Sequence, residues 1–368
     1  MQAQNVTLVL SGGGLKGLAH IGVFQALEER GLEPSLVIGS SMGSLIAAAW
    51  ASGMPIREME VRAMLVRRKH VFQVAHVDMA LRRMLAPAVY RREPLDELIE
   101  SLIGDRRFED LHHPLLVNTV DLHAGRQVFW GLPGRRDARV ADAVFASCAL
   151  PGIFPPREIG GRLYVDGAVI ENLPVRIAET ESRDPVIAVN LTETSVVRSA
   201  TETEGFAATY IRGLEIVMQS QIQGSLRVWN GPPLLLVEPA VAHVSMFSFH
   251  QTRELIREGR RATLAALDAI PGPLRDMPRG LHPRRRVQVE VNERVCIGCS
   301  LCAMRAPQVF EMRGDKAAVI QPLQEWPPFD ARYVQDCPVG AIAYTALTGP
   351  DARIPRRSSE GRPSSGPS

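Results

Sequence analysis

The chain has 368 residues, of which 45% are hydrophobic and 22% charged, the composition of an ordinary globular protein. This length allows a large core and more than one domain. The net charge of +2 gives no reason to expect nucleic acid as a partner, although the clusters Arg67–Lys69 and Arg284–Arg286 could meet an acidic surface or lie on solvated faces.

The first residues, MQAQNVTLVLSGGG, have no positive charge before their short apolar run and no small-residue cleavage site after it. We therefore expect a first strand here rather than a signal peptide. No run approaches the roughly 18 apolar residues of a membrane-spanning helix. We expect a cytoplasmic protein, with membrane contact, if any, restricted to a peripheral position on the inner face.

Strand and helix patterns alternate along the first half of the chain: VTLVLS, GLAHIGVFQALEERG, PSLVIGS and SLIAAAWASG. This alternation is typical of a parallel sheet covered by helices on both faces. Further strands are predicted at PLLVNTVDL, RQVFW, RLYVDGAV, PVIAVNLT and PPLLLVEPAV, and further helices at about 204–223 and at FHQTRELIREGRRATLAALDAI. We therefore predict a three-layer α/β/α domain with a mainly parallel sheet over residues 5–270.

A glycine-rich loop, Gly12–Gly17, follows the first predicted strand and has the spacing G-x-G-x-x-G. A phosphate-binding Walker loop would need Ser or Thr after Gly-Lys, whereas Lys16 is followed by Gly17 and Leu18. A dinucleotide-binding fold would need an acidic residue about 20 positions further on, at the end of the second strand. The sequence there is Gly39–Gly43, G-S-S-M-G, which contains no acid.

The segment Gly39–Gly43 instead fits the G-x-S-x-G turn between a strand and a helix that exposes a nucleophilic serine. Ser41 is therefore the candidate nucleophile. Acyl transfer to a serine creates a negative oxygen, which unhindered glycine amides can stabilise. We predict an oxyanion hole formed by the amides of Gly12, Gly13, Gly14 and Met42. Lys16 could support this loop, meet an anionic head group or face solvent.

A base is needed to activate the serine, and none of the nine histidines lies in a turn context that would mark it as catalytic. Asp166 is a better candidate, because it ends the apolar run RLYVD and is followed by Gly167 and Ala168. At the carboxyl edge of the sheet, its carboxylate could take the proton from Ser41 without an imidazole. The alternative is that Asp166–Gly167 is only a turn.

Together, the ordered motifs G-G-G-x-K-G, G-x-S-x-G and D-G-A, with ASCALPGIFPP and ENLPV around the last of them, resemble the patatin-like phospholipases. The likeness runs from Asn5 to Leu191 and, more loosely, to Ile270. It implies a Ser41–Asp166 dyad, an oxyanion loop at Gly12–Gly17, and hydrolysis of phospholipids, lysophospholipids or simpler acyl esters without calcium. Cys148, within an apolar neighbourhood, is interpreted as a small buried packing residue.

Beyond the first domain we predict a Pro/Arg-rich linker at 271–286, a small module at 287–346 and a disordered tail at 347–368. Four of the five cysteines lie in this module. They are Cys296, Cys299 and Cys302, in a C-x-x-C-x-x-C run, and Cys337, which precedes a proline. This spacing favours one iron–sulfur cluster. Zinc would more often be bound by two separate C-x-x-C pairs.

The module resembles the single-cluster bacterial ferredoxins at CIGC, APQVFE and CPVGAI, which implies a small α+β fold. Because the second ligand position is a cysteine, Cys299, a 4Fe-4S cluster is favoured over a 3Fe-4S cluster, and oxidative loss of one iron stays open. The whole chain is thus expected to be a serine acylhydrolase with lipid substrates, possessing a redox module and a possible redox partner protein. Three alternatives stay open: an electron-transfer protein with the hydrolase domain as scaffold, a hydrolase whose cluster senses redox state, and an acyltransferase. Enzymes of the last kind generally have a histidine where this chain has Asp166.

Overall fold

A computed structural model describes residues 4–75, 88–192, 205–328 and 332–347. By its internal contacts the chain divides into two compact units, Met1–Pro283 and Arg284–Ser368. Nearly all of the predicted disordered tail lies outside the described residues, which end at 347.

The first unit is built on a nine-stranded sheet. Six strands, in the order β3-β2-β1-β7-β8-β9, are parallel, whereas β4, β5 and β6 are antiparallel to their neighbours. The prediction of a mainly parallel α/β sheet is therefore confirmed. The strands are β1 Gln4–Leu10, β2 Leu32–Ser40, β3 Leu115–Asp121, β4 Arg126–Trp130, β5 Arg157–Ile159, β6 Arg162–Asp166, β7 Val186–Val189, β8 Pro233–Val237 and β9 Gly280–His282.

Helices connect and cover these strands. In the described part of the first unit they are α1 Ala19–Glu29, α2 Met42–Ala51, α3 Ile56–Leu65, α4 Glu93–Ile103, α5 Val140–Cys148, α6 Ala168–Glu171, α7 Arg176–Glu181, α8 Phe206–Arg227 and α9 Thr252–Asp268. None of the helices described is long and apolar enough to cross a bilayer.

Burial explains why the apolar runs form the centre of the sheet. Strand β3 is buried along its whole length, as are β7 and the last five residues of β1. Such continuous burial is expected for parallel strands covered on both faces. Helices α1 and α9 cross at Gly22 and Gly259, where a Cβ atom would lie 1.8 Å from the Ile256 oxygen and 1.9 Å from the Ala19 oxygen. Only glycine allows this close approach of two helix backbones.

One edge of β3 is shared by two strands that meet end to end. Strand β2 pairs with β3 up to Ser40 opposite Asn118, and β6 pairs with β3 from Asp166 opposite Thr119. Strand β4 pairs with both Asn118 and Thr119. Because β4 takes one edge of β3, β2 and β6 must both lie on the other. The ends of β2 and β6 therefore meet beside neighbouring residues of β3.

The second unit is small and mixes short strands with short helices, as predicted. Strand β10, Arg285–Val291, pairs with β13, Leu323–Trp326, and β14, Ile342–Ala346; β11, Phe310–Arg313, pairs with β12, Lys316–Val319. Two five-residue helices, α10 Leu301–Arg305 and α11 Arg332–Asp336, complete the unit. Its core contains Val287, Val289, Ala306, Val309, Phe310, Trp326 and Ile342.

The predicted linker at 271–286 contains more structure than its composition indicates. A 3-10 turn spans Leu274–Asp276, and β9 joins the first sheet by pairing with β8. Arg285 already belongs to β10 of the second unit. Strand β9 is only three residues long and its pairing is with a distant part of the chain, so no local pattern indicates it.

Candidate active site

Ser41 lies at a sharp turn between β2 and α2. Its backbone has φ 51° and ψ −129°, a region that a non-glycine residue rarely adopts. The glycines on either side allow the turn: a Cβ atom would lie 2.5 Å from the Ser44 Cα at Gly39, and 2.6 Å from the Leu10 oxygen at Gly43. This is the geometry of a nucleophile elbow.

The end of α5 holds the backbone at both candidate catalytic residues. The amide of Ser41 donates to the Ser147 hydroxyl at 2.9 Å, and that hydroxyl donates to the Asn118 carbonyl oxygen at 2.7 Å. The amide of Asp166 donates to the Ala149 carbonyl oxygen at 3.1 Å. No sequence pattern indicated a role for Ser147, although its motif, ASCALPG, is one of the segments that resemble the patatin-like phospholipases.

Asp166 ends β6 beside the turn that carries Ser41. Its side chain is buried and accepts hydrogen bonds from the Ala168 amide, at 2.9 Å, and from the Ser41 side chain. Burial raises the pKa of this carboxyl from 3.8 to about 7, although both hydrogen bonds favour the charged form. Asp166 therefore titrates near neutral pH, where a general base is most effective.

Asp166 reaches this place by a different route from the one that the sequence indicated. We expected a strand that ends at the carboxyl edge of a parallel sheet, but β6 runs antiparallel to β3. It approaches from beyond that edge and stops where β2 has already ended. Asp166 therefore lies at the predicted edge of the sheet, but its strand runs in the direction opposite to the one expected.

The glycine loop lies against the same turn, but its amides are not equivalent. The Gly12 amide donates to Asn172, at 3.0 Å to the side-chain oxygen and 3.3 Å to the carbonyl oxygen. A Cβ atom at Gly12 would lie 2.5 Å from that side-chain oxygen and 2.9 Å from the Ser41 Cβ. Gly12 thus fixes the loop beside Ser41 and does not fit the predicted role of oxyanion donor. Gly13 and Gly14 line the cavity at Ser41.

The other motif residues lie close to this loop. Lys16 is buried and lines the cavity, so a position facing solvent is excluded. Gly17 packs on Met42, where a Cβ atom would lie 2.2 Å from the methionine Cγ. Met42 begins α2, so its amide belongs to the first turn of that helix. Gly167 packs on Asn118, and Ala168 begins α6.

Ser41 and Asp166 both line one open cavity of about 940 Å³, a volume that includes the solvent at its mouth. Its wall is largely apolar and includes Phe72, Phe154 and Phe247, whose rings are in mutual contact through Phe72. In the part of the chain that the structure describes, no histidine lines this cavity.

Cys148, which the sequence predicted to be a small buried packing residue, and His20, which contacts the residue before the glycine loop, lie near the site. Cys148 packs against the core and also lines the cavity. Burial raises the pKa of its thiol, and the nearby Asp166 charge raises it further. His20 is fully buried and contacts the Ser11 carbonyl oxygen at 2.9 Å. Burial lowers the pKa of His20 to about 4, so its ring is neutral at pH 7.

The four cysteines of the second unit line one cavity of about 490 Å³. Cys296, Cys299 and Cys302 follow one another around a turn in which Gly298 and Ser300 have positive φ angles of 68° and 61°. The Ala341 amide donates to the Cys337 sulfur at 3.2 Å, and hydrogen bonds from four backbone amides lower the pKa of that thiol despite its partial burial. All four are free thiols.

Four cysteine sulfurs on one cavity are a donor set that fits an iron–sulfur cluster. Among the described residues, no three His, Cys, Asp or Glu side chains are placed to hold one metal ion. A four-iron cluster gives each cysteine its own iron, so its ligands need not converge on one point. Thiolates with amide hydrogen bonds to sulfur are the environment that such clusters use.

Comparisons with known proteins define the two domains. Residues 8–179 match the patatin-like phospholipase family, and residues 291–344 match the 4Fe-4S single cluster domain of ferredoxin I. The chain therefore carries a patatin-like phospholipase domain followed by a single-cluster 4Fe-4S domain of the ferredoxin type, and both predicted resemblances are confirmed.

Several relatives of this chain are described as NTE family proteins. An uncharacterized NTE family protein of Mycobacterium tuberculosis is 27% identical over 290 residues, which cover 74% of this chain and 48% of that protein. A second from the same species is 33% identical over 186 residues, or 50% of this chain and 49% of that protein. The chain thus spans about half the length of these curated relatives. Patatin-like phospholipase domain-containing protein 6 of Mus musculus is 31% identical over 195 residues, 52% of this chain and 14% of that one.

Among solved structures, VipD from Legionella pneumophila aligns with a TM-score of 0.41 and 15% identity over 73% of this chain and 67% of that chain. The heterodimeric complex ExoU-SpcU of Pseudomonas aeruginosa aligns with a TM-score of 0.36 and 17% identity, over 73% of this chain and 52% of that chain.

Proposed function

We propose that the first unit is a serine acylhydrolase that cleaves acyl esters of lipids, with Ser41 as nucleophile and Asp166 as general base. One observation carries this proposal: the strained Ser41 turn and the buried Asp166, hydrogen bonded to each other, lie on one apolar cavity. The membership of this domain in the patatin-like phospholipases supports the same reaction class.

In the proposed reaction, Asp166 takes the proton of the Ser41 hydroxyl as the serine oxygen bonds to the ester carbonyl carbon. The amides of Gly13, Gly14 and Met42 stabilise the resulting oxyanion. When the carbon–oxygen bond to the alcohol breaks, Asp166 returns the proton to the leaving alcohol. Water then attacks the acyl-enzyme and gives a proton to Asp166. Asp166 passes that proton to the Ser41 oxygen as the acyl–oxygen bond breaks, which releases the fatty acid and restores Ser41 and the Asp166 carboxylate. No step requires calcium.

The cavity supports a lipid rather than a small polar ester. An acyl chain can lie against the aromatic wall of Phe72, Phe154 and Phe247. Lys16 lies on the same cavity and would bring positive charge to a phosphate-bearing substrate. Phospholipids and lysophospholipids are the substrates that combine these two features.

The test compares Ser41→Ala with a matched control, Ser52→Ala, at the other end of α2. The Ser52 hydroxyl is buried and makes no hydrogen bond, so its loss removes no interaction in the described structure. With lysophospholipid and with p-nitrophenyl esters in the presence of EDTA, we expect hydrolysis to fall at least 10³-fold in Ser41→Ala. Ser52→Ala should hydrolyse both substrates like wild type. Equal activity in Ser41→Ala and wild type would contradict the proposal.

We also propose that the second unit holds one 4Fe-4S cluster through Cys296, Cys299, Cys302 and Cys337, all of which line one cavity. A cluster of this type transfers single electrons or reports the redox state of its surroundings. Anaerobically purified protein should therefore contain about four iron atoms per chain and give an electron paramagnetic resonance signal on reduction. Hydrolysis rates should be measured with the cluster oxidised and with the cluster reduced. If the cluster is a redox sensor the two rates differ, and if it only transfers electrons they are equal.

A further inference from the structure

The surface of α3 and the turn that follows it, residues 56–70, combines exposed apolar and cationic side chains; we call it the α3 ridge. Val61 and Leu65 are 54% and 63% exposed. They are four residues apart on α3, so they lie on one face of the helix. Large apolar side chains exposed together on a rigid helix indicate a surface that another apolar phase covers.

Positive charge surrounds this apolar pair. The ridge contains five Lys or Arg side chains and two carboxylates, an excess of positive charge larger than the net charge of +2 for the whole chain. Both carboxylates are engaged, Glu58 with Arg62 and Glu60 with Gln25. Across the described residues, no ion pair joins Arg57, Arg68 or Lys69 to a carboxylate, and all three are exposed. The ridge therefore presents uncompensated cations beside exposed aliphatic side chains.

The guanidinium of Arg67 donates to the carbonyl oxygens of Met64 and Val66 at the end of α3. This fixes the cationic turn to the helix, so Arg68 and Lys69 hold a defined position relative to Leu65. A preformed surface of this kind binds without the cost of ordering a loop.

The ridge also lies next to the two apolar cavities of the first unit. Its own side chains, including Met59 and Leu65, line a second cavity of about 910 Å³ that is mostly apolar and reaches Met42, the residue after Ser41. His70 lines this second cavity, and Phe72, two residues later, lines the cavity that contains Ser41. The same short segment thus leads from the ridge to the candidate active site.

From these observations we propose that the α3 ridge docks the protein on an anionic lipid bilayer, with Val61 and Leu65 entering the interface and Arg57, Arg68 and Lys69 contacting lipid phosphates. Apolar insertion combined with several cations is the interaction that binds proteins reversibly to anionic membranes. A nucleic acid would use the cations but not the exposed aliphatic pair. Docking here places the bilayer against the second cavity, which the ridge itself lines and which reaches Met42 beside Ser41.

The experiment uses full-length protein with Ser41→Ala, so that vesicles are not degraded and the result does not depend on the proposed hydrolysis. Co-sedimentation with phosphatidylcholine vesicles that contain phosphatidylglycerol should show binding that weakens with salt, and vesicles of phosphatidylcholine alone should bind much less. R68Q/K69Q and V61S/L65S should each lower the affinity about tenfold or more. The matched control is R126Q/V228S, which changes an exposed cation and an exposed aliphatic residue outside the ridge.

Three results would overturn the proposal. The first is that the protein does not bind phosphatidylglycerol vesicles. The second is that the R126Q/V228S control loses as much vesicle affinity as the ridge variants. The third is that V61S/L65S keeps its full affinity, which would identify the ridge as a site for a soluble polyanion. In protein that retains Ser41, the same ridge substitutions should leave hydrolysis of a soluble p-nitrophenyl ester within about twofold of wild type. If that ester is not hydrolysed by wild type, the proposed function fails while the docking result stands.

Discussion

At the scale of single residues, the proposed reaction depends on a carboxylate kept out of water. Asp166 loses solvation by burial, and this loss outweighs the two hydrogen bonds that favour its charged form. A carboxyl whose pKa is raised in this way is a stronger base once ionised, and Asp166 becomes ionised as the pH rises through about 7. The same burial that costs free energy when Asp166 is charged therefore gives it the basicity that Ser41 needs.

A pH dependence follows from the Asp166 pKa of about 7. The base must be deprotonated to accept the Ser41 proton, so kcat/KM should rise as pH increases from 6 to 8, with its midpoint near 7. Asp166→Asn should lower kcat/KM at least 10³-fold and remove this midpoint. Initial rates with a soluble ester across this range measure both effects. A midpoint near 4, typical of an exposed aspartate, would contradict the assignment.

Ser147 provides a second residue-scale prediction, because its hydroxyl accepts from the amide of the strained Ser41 turn. Ser147→Ala leaves that amide without its acceptor and should lower kcat about tenfold or more while changing KM by less than threefold. The control is Thr263→Val, which removes another fully buried hydroxyl, bonded to the Gly259 oxygen in α9.

Thr263→Val should lower the melting temperature to a similar extent as Ser147→Ala but leave kcat unchanged. If the two variants lose kcat equally, Ser147 has only a structural role, and its contact with Ser41 does not position the nucleophile.

At the scale of elements, the candidate site exists because β2 and β6 meet end to end along β3. Local patterns predicted the Ser41 turn, since glycine spacing and the change from strand to helix are encoded within a few residues. They also predicted Asp166 as a candidate. They could not predict that β6 runs antiparallel, because strand pairing depends on residues more than 40 positions away.

The residues that the sequence failed to identify share this non-local origin. Ser147 and Asn172 contact Ser41 and Gly12 across 106 and 160 positions of sequence. The Gly12 amide, predicted as an oxyanion donor, donates to Asn172 instead, and this contact also joins residues that are far apart in the sequence. Glycine in a loop indicates that amides are accessible, but which acceptor they meet is decided by the packing of distant elements.

The prediction at the scale of elements concerns the stability of the crossing between α1 and α9. Gly22→Ala would place a Cβ atom 1.8 Å from the Ile256 oxygen, so the helices must separate. We expect a loss of about 1–3 kcal/mol in unfolding free energy, seen as a melting temperature lower by several degrees. Gly224→Ala in α8, where no heavy atom lies within 4 Å, should be neutral or stabilising. Similar melting temperatures for both variants would show that the close crossing is not required.

At the scale of the whole molecule, two units with different chemistry occupy one chain. Cysteine spacing was the main sequence signal for the second unit, because a cluster site is a local pattern completed by one distant residue. The strands β11 and β13 were not predicted, since four residues are too few to show a period.

The cluster prediction concerns Cys337, the ligand that lies outside the C-x-x-C-x-x-C run. Cys337→Ser should abolish the visible absorption and most of the bound iron of anaerobically purified protein, because three cysteines do not complete a 4Fe-4S site. Cys148→Ser, a change in the first unit, should leave the iron content unchanged. Iron analysis and absorption spectra make this comparison, and full iron content in Cys337→Ser would contradict the ligand assignment.

The central claim is that Ser41 is a nucleophile activated by Asp166, and covalent labelling tests it most directly. Treatment with a fluorophosphonate, followed by peptide mass spectrometry, should give one adduct per chain, on Ser41. The labelling rate should fall at least 100-fold in Asp166→Asn and remain unchanged in Ser52→Ala. An adduct on Ser44 or Ser147 in place of Ser41, or equal labelling of wild type and Asp166→Asn, would contradict the account.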